Sequence, residues 1–161
     1  ILDESKMMEH HITITEHGQK TIIKGLSIAD KQQSADMFTA YNGWDEIVIH
    51  PREFYILSTV EKLKFAPTLA GFIQGRSSIA RLGLNIHAAG FFDPGFEGTA
   101  TLDVTNFTRY PIVLPKNTRI CQMVFVRTGR PSEVPYNKKK DAKYNKQSGP
   151  TLTRAHEDYE N

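Results

Sequence analysis

The run Gly75-Arg76-Ser77-Ser78-Ile79-Ala80-Arg81 crowds two guanidiniums and two hydroxyls into one short stretch. Arginine offers a planar, permanently charged fork that matches phosphate, and the N–H groups of a helix start favour anions. A serine-rich helix cap flanked by surface arginines would carry the same letters, so the run alone names no ligand. A second run, Gly90-Phe91-Phe92-Asp93-Pro94-Gly95-Phe96-Glu97-Gly98, leads directly into Thr99-Ala100-Thr101-Leu102-Asp103-Val104-Thr105-Asn106. Asp-Pro-Gly is a sound turn signal in its own right. Beyond it Thr99, Thr101, Asp103 and Thr105 share one parity, opposed by Ala100, Leu102 and Val104, which puts the Asp103 carboxylate on the polar face of a strand. Lys138, Lys139, Lys140, Lys143 and Lys146 crowd near the C-terminus, and the plain reading of such a run is a solvated tail. Cys121 is the only cysteine, so no intramolecular disulfide forms, and a reducing cytoplasm is the simplest home. One cysteine also excludes the zinc-deaminase signature, which needs a Pro-Cys-x-x-Cys after a His-x-Glu.

The elements that must hold these residues read as strands. Period-two alternation marks 11–15 and, after His17-Gly18, a short run at 21–23; further strand candidates are 46–49, 54–57, 70–74, 99–105, 112–114 and 119–127. Gly90, Pro94-Gly95, Pro111 and Pro115 punctuate them. Only 77–82, and a short stretch near 27–38, read as helical. Many short strands between turn residues predict an all-β barrel or jelly roll with one short helix. At 161 residues, 39% apolar and 24% charged, the chain is expected to form one soluble domain, 1–161, in which 129–161 is a C-terminal arm of falling apolar density. An arm of this kind is a liability unless something orders it, and a bound ligand or a neighbouring subunit could do so. The net charge of +2 makes no general case for nucleic acid or membrane as partner. No apolar stretch approaches a membrane span, and the start lacks the pattern of a signal peptide.

Taken together, Gly75-Arg76-Ser77-Ser78, the Ala89-Gly90 and Asp93 turn, and Arg119-Ile120-Cys121-Gln122-Met123-Val124-Phe125 resemble the dCTP deaminases and, more distantly, the trimeric dUTPases. Pro135-Tyr136, Asp141-Ala142-Lys143-Tyr144 and Gln147-Ser148-Gly149-Pro150-Thr151 are similar to the arm of the deaminase branch; dUTPases end in a glycine-rich motif instead. The resemblance runs from about residue 45 to 159. It implies a dUTPase-like distorted β-barrel assembled as a homotrimer, with nucleotide sites at the subunit interfaces. Arg76, Ser77, Ser78, Ile79, Ala80 and Arg81 match positions around the triphosphate and the base. Asp93 matches the residue that accepts from the 3′-hydroxyl of the deoxyribose, and Thr101, Leu102 and Asp103 match the strand along the pyrimidine edge. Tyr136, Lys143 and Gln147 match arm residues that fold over the triphosphate. Catalysis falls by the same resemblance to Asp103 as proton shuttle, Arg81 as its charge partner and Ser77 as a holder of water or base edge. Magnesium would ride on the phosphates with mostly water ligands.

Three departures bear on the reaction. Asp103 stands where the deaminases carry glutamate, one methylene longer, and a misplacement of roughly 1 Å can cost about a hundredfold in rate. The segment Asn85-Ile86-His87-Ala88-Ala89-Gly90 is one residue short of the deaminase pattern, with Ala88 in place of a threonine. The Ser-x-Asp-Leu-like motif near the first strand is missing, unless Glu9-His10-His11-Ile12-Thr13-Ile14 is a degenerate form of it. The leading expectation is hydrolytic deamination of dCTP to dUTP and ammonia. A dUTP diphosphatase or a coupled deaminase/diphosphatase, a deaminase of 5-substituted dCTP, and a non-catalytic nucleotide sensor stay open beside it.

Overall fold

The computed structural model describes residues 11–16, 19–24, 31, 38, 40, 43–86 and 89–160. The chain divides into two compact units, one of Ile1–Ala40 with Leu152–Asn161 and one of Tyr41–Thr151. In the first, β1 (His11–Glu16) and β2 (Gln19–Lys24) pair antiparallel, with His11 opposite Lys24 and Glu16 opposite Gln19. The same unit holds a 3₁₀ turn at Ala155–Tyr159, where Arg154 Nε donates to Glu157 Oε1 and His156 is buried. The helical stretch expected near 27–38 lies almost wholly outside the described residues, as do His17-Gly18 and His87-Ala88.

The unit Tyr41–Thr151 carries β3 (Glu46–Ile49), β4 (Phe54–Lys64), β5 (Leu69–Gly75), the one-turn helix α1 (Ser77–Ala80), β6 (Leu84–Ile86), β7 (Phe91–Phe92), β8 (Glu97–Asn106), β9 (Ile112–Pro115) and β10 (Cys121–Arg127). All strand pairs are antiparallel: β4-β8-β6, β10-β5-β7 and β3-β9. The all-β architecture stands. Among the described residues the strands sort into these open two- and three-stranded sheets rather than into one closed ring. No helix of the described residues is long and apolar enough to cross a membrane.

The central strand β8 shows why the sequence folds this way. Ala100, Leu102 and Val104 are buried and Thr101, Asp103 and Thr105 half-buried, so the alternation read from the letters becomes a core face and a wetter face. Asn106 closes the strand with no exposed surface at all. Its Nδ2 donates to Ile49 O (2.9 Å) and Tyr110 O (2.7 Å), and its Oδ1 accepts from Thr108 N and Oγ1. A buried amide is tolerable because each of its polar atoms is bonded. Phe65, Phe92 and Phe96 pack around one another in the core, with the Phe92 and Phe96 centroids 4.9 Å apart.

The partner strand β4 runs past the expected 54–57 to Lys64. Its register on β8 slips between Ser58↔Thr101 and Lys62↔Thr99, leaving Thr59, Val60 and Glu61 opposite Ala100 alone. The Thr59 hydroxyl fills the gap in the ladder by accepting from Ala100 N at 2.9 Å.

Candidate functional site

Helix α1 begins where β5 ends. Arg76 precedes it with extended backbone, its N–H donating to Ile120 O (3.1 Å) and its Nη1 to Arg119 O (2.8 Å). Part of that guanidinium therefore braces the chain as it turns into β10. Ala80 N and Arg81 N close the single turn onto Arg76 O and Ser77 O. One turn sums too few peptide dipoles to attract an anion strongly, so its chemistry rests on side chains. Ser77, Ser78 and Arg81 are exposed, Ala80 is exposed, and Ile79 is half-buried beneath them.

Asp93 heads the turn between β7 and β8, where Phe96 N donates back to Asp93 O at 3.1 Å. The arm is fastened to this turn. Tyr136 N donates to Pro94 O (2.8 Å), and the Tyr136 and Phe96 rings lie 5.9 Å apart. Gly95 has φ +85°, and a Cβ there would meet Pro135 Cβ at 2.6 Å, so glycine permits both the turn and the close seat. Lys139 Nζ stands 3.5 Å from Asp93 Oδ1 and 5.6 Å from the centre of the Tyr136 ring. Tyr144 N donates to the Tyr136 hydroxyl at 3.1 Å, which brings the following Lys-containing stretch back toward the same place.

Further on, the arm lies along β8. Lys146 N donates to Glu97 O (2.7 Å) and Thr99 N to Gln147 O (3.1 Å), a parallel bridge centred on Gly98 and Gln147. Gln147 Nε2 donates to Thr99 O (2.7 Å) and Thr101 Oγ1 (3.2 Å). Gly149 N reaches Thr99 Oγ1 at 3.0 Å and Thr151 N reaches Thr101 Oγ1 at 3.4 Å. The arm is thus held by β8 of the same chain.

Of the residues singled out in sequence, Asp93 and Tyr136 meet at the β7–β8 turn, and Thr101 and Gln147 meet on β8. Asp103 is half-buried two residues from Thr101 on the same face, in register with Ile56. Lys143 is half-buried within the arm. Leu102 is only 3% exposed, its side chain belonging to the core and its backbone paired opposite Leu57 of β4, so the structure turns neither toward a ligand. Arg76, Ser77, Ser78, Ile79, Ala80 and Arg81 stay together on or beside α1. Lys139, Thr99 and Tyr144 stand in the sequence only as members of longer runs, and the structure gives each a specific contact at this site. Nothing in the letters distinguishes Lys139 from Lys138 and Lys140; only the fold puts it beside a carboxylate. Near the start of β10, burial and then the negative charge of Glu61 push the Cys121 thiol up from its ordinary value.

A family model described as dCTP deaminase-like matches residues 8–128, which includes β3 to β10 and stops before the arm. The "dCTP deaminase, dUMP-forming" of Methanosphaera stadtmanae is 41% identical over 115 residues, covering 70% of this chain and 58% of that protein. The protein of the same name from Dictyoglomus thermophilum is 43% identical over 112 residues, covering 69% and 58%. The chain therefore spans about 58% of the length of these relatives. Among solved structures, the 2′-deoxycytidine 5′-triphosphate deaminase of Agrobacterium tumefaciens aligns with a TM-score of 0.53 at 28% identity, over 58% of this chain and 29% of that one. With β8, the Asp93 turn and the Arg-Ser-Ser helix all inside the matched region, the chain belongs to the dCTP deaminase-like family.

Proposed function

We propose that this chain is a zinc-independent deaminase of dCTP, replacing the C4 amine of the cytosine by a water oxygen and releasing ammonia. The observation that carries the reading is Asp103, a carboxylate on the half-buried face of β8 between two core residues, in a chain of this family. In this reading Asp103 takes one proton from the attacking water and delivers it to N3, then takes the second from the C4 hydroxyl of the adduct and delivers it to the departing amine, leaving C4=O and N3–H. Arg81 keeps it ionised by charge, and Ser77 holds the water or the base edge. Asp93 accepts from the 3′-hydroxyl. Arg76, Ser78, Tyr136 and Lys143 take the triphosphate, with the arm from residue 129 closing over it.

Among the described residues no three His, Cys, Asp or Glu side chains gather as a metal cage. The donors assigned to the triphosphate are cationic or hydroxylic, which suits magnesium arriving on the phosphates as part of the substrate. The assembly in this reading is a cytoplasmic homotrimer with sites at the subunit interfaces.

The names of the relatives favour dUMP over dUTP as final product, so that one dCTP and two waters yield dUMP, ammonia and pyrophosphate. Asp93 and Asp103 are the carboxylates that could direct the second water at the α-phosphorus. The test is incubation with dCTP and, separately, dUTP, resolving ammonia from pyrophosphate. Ammonia and pyrophosphate in equal amounts are expected from dCTP; ammonia alone returns the reading to a dUTP-forming deaminase, and neither product refutes it. Asp103→Asn should lower ammonia release at least about a hundredfold while dCTP still binds. Undiminished release from that variant removes Asp103 from the mechanism.

A further inference from the structure

Lys138, Lys139 and Lys140 are adjacent exposed cations, and of the three only Lys139 has its ammonium beside Asp93. The local backbone makes the choice. In a 3₁₀ turn residues three apart eclipse, and the turn Tyr136–Lys138 therefore lays position 139 over position 136. Lys139 N donates to Tyr136 O at 3.2 Å, and its ammonium stands 5.6 Å from the centre of the Tyr136 ring. The ring is itself fixed, because Tyr136 N donates to Pro94 O and the ring lies against Phe96. Lysine platform and carboxylate thus belong to one turn. From that platform Lys139 Nζ reaches Asp93 Oδ1 at 3.5 Å.

The two side chains are 38% and 34% exposed, and an ion pair so open to water adds little to stability. Its value lies in orientation. A carboxylate has two acceptor oxygens, and with Oδ1 on the ammonium it is Oδ2 that is left to accept from a hydroxyl. Holding the group in one pose before the ligand arrives removes an ordering cost from binding. We infer that Lys139 is a positioning residue for Asp93, turning its carboxylate to the 3′-hydroxyl of the nucleotide sugar and so setting the preference for ligands that carry that hydroxyl. The inference rests on the sugar role given to Asp93 above. Its signature is a loss confined to ligands with the hydroxyl. A lysine that met the phosphates directly would matter equally to ligands with and without it.

The test is equilibrium binding of dCTP and of 2′,3′-dideoxy-CTP to the full chain carrying Asp103→Asn, so that affinity is read without deamination. This parent should bind dCTP at least about tenfold more tightly than the dideoxy nucleotide, the worth of one hydrogen bond to a charged group. Adding Lys139→Met keeps an unbranched stem over the Tyr136 ring and removes the charge. It should weaken dCTP about fivefold and leave dideoxy-CTP within about twofold of the parent. Lys139→Arg should keep dCTP within about twofold of the parent, and Lys138→Met and Lys140→Met should leave the ratio of the two affinities unchanged. Equal weakening of both nucleotides by Lys139→Met overturns the inference in favour of a phosphate contact. An unchanged affinity for dCTP in that variant, or the same loss from Lys138→Met or Lys140→Met, overturns it as well. A parent that binds both nucleotides equally refutes the sugar role of Asp93 and the inference with it. Binding of neither refutes the nucleotide reading itself, whereas a discriminating parent whose Lys139→Met variant discriminates as sharply refutes the inference alone.

Discussion

Alanine at position 98 tests how the arm is held. Gly98 sits in β8 opposite Leu63 with φ +143°, a conformation that side chains rarely adopt, and a Cβ there would lie 2.8 Å from Gln147 O and 3.0 Å from Gln147 N. Both of those atoms are backbone, so no rotamer change relieves the contact. Two costs follow, and they fall on different parts of the molecule. The backbone strain belongs to β8 and persists whether or not the arm leaves; it should lower global stability by about 1–3 kcal/mol.

The clash belongs to the seat. The five shortest bonds of that seat are the two backbone bonds at Lys146 N and Thr99 N, the two donations from Gln147 Nε2, and the one from Gly149 N. At about 0.5–1.5 kcal/mol net for each bond, these hold the arm with roughly 2.5–7.5 kcal/mol. A backbone overlap below van der Waals distance is enough to release it. Urea unfolding followed by Trp44 fluorescence reads the first cost, and limited trypsin cleavage at Lys143 and Lys146 reads the second. Cleavage should quicken by at least about tenfold at urea concentrations where the core is still folded. Arm protection equal to the parent's, or arm release only together with global unfolding, would refute the claim that β8 is the arm's seat.

Other consequences are more local. Asp103→Glu should raise turnover of plain dCTP and lower it for 5-methyl-dCTP if the shorter acid leaves room for a base substituent; improvement on both substrates would mean that Asp103 is only a weakened shuttle, since one methylene is worth roughly 1–3 kcal/mol of discrimination. Asn106→Ala should cost about 3 kcal/mol or more in urea unfolding, because Ile49 O, Tyr110 O and Thr108 N all lose their amide partner at a fully buried site; a loss under about 1 kcal/mol would contradict that account. Cys121 should react with iodoacetamide more slowly than a free thiol at mildly alkaline pH, and Glu61→Gln should narrow the gap. The raised thiol value favours the protonated form in the folded state. Its contribution to stability is therefore complete below the ordinary thiol range and is lost as pH climbs through the folded value, so an alkaline unfolding profile that is flat there would count against it.

Much of this protein is written in short-range pattern. The 99–105 alternation needs only the period of a strand to put Asp103 on one face and Leu102 and Val104 in the core, and the observed burial follows it from Ala100 to Thr105, while Thr99 is buried where the arm lies along the strand. Asp93-Pro94-Gly95 is a turn wherever it occurs. The spaced motifs that carry the family resemblance lie within elements that form locally. What the letters could not decide are features that exist only through pairing at a distance.

The strands β6 and β7 are three and two residues long, too short to show a period, and are held by β8 and β5 respectively. The second half of β4 is polar and reads as a loop until a bulge brings it back onto β8. Lys139 is one of three identical neighbours until the turn at Asp93 selects it. Gly98 and Gln147 are 49 positions apart in number, and no local preference of either encodes their contact. That contact arises because two strongly signalled pieces, the β7–β8 turn and Tyr136, fasten the start of the arm and leave its remainder within hydrogen-bonding reach of β8. Sequence determined which residues could do chemistry and on which face each would stand; tertiary structure decided which of them hold one another, because hydrogen bonds between distant segments depend on register, and register is set by the whole sheet.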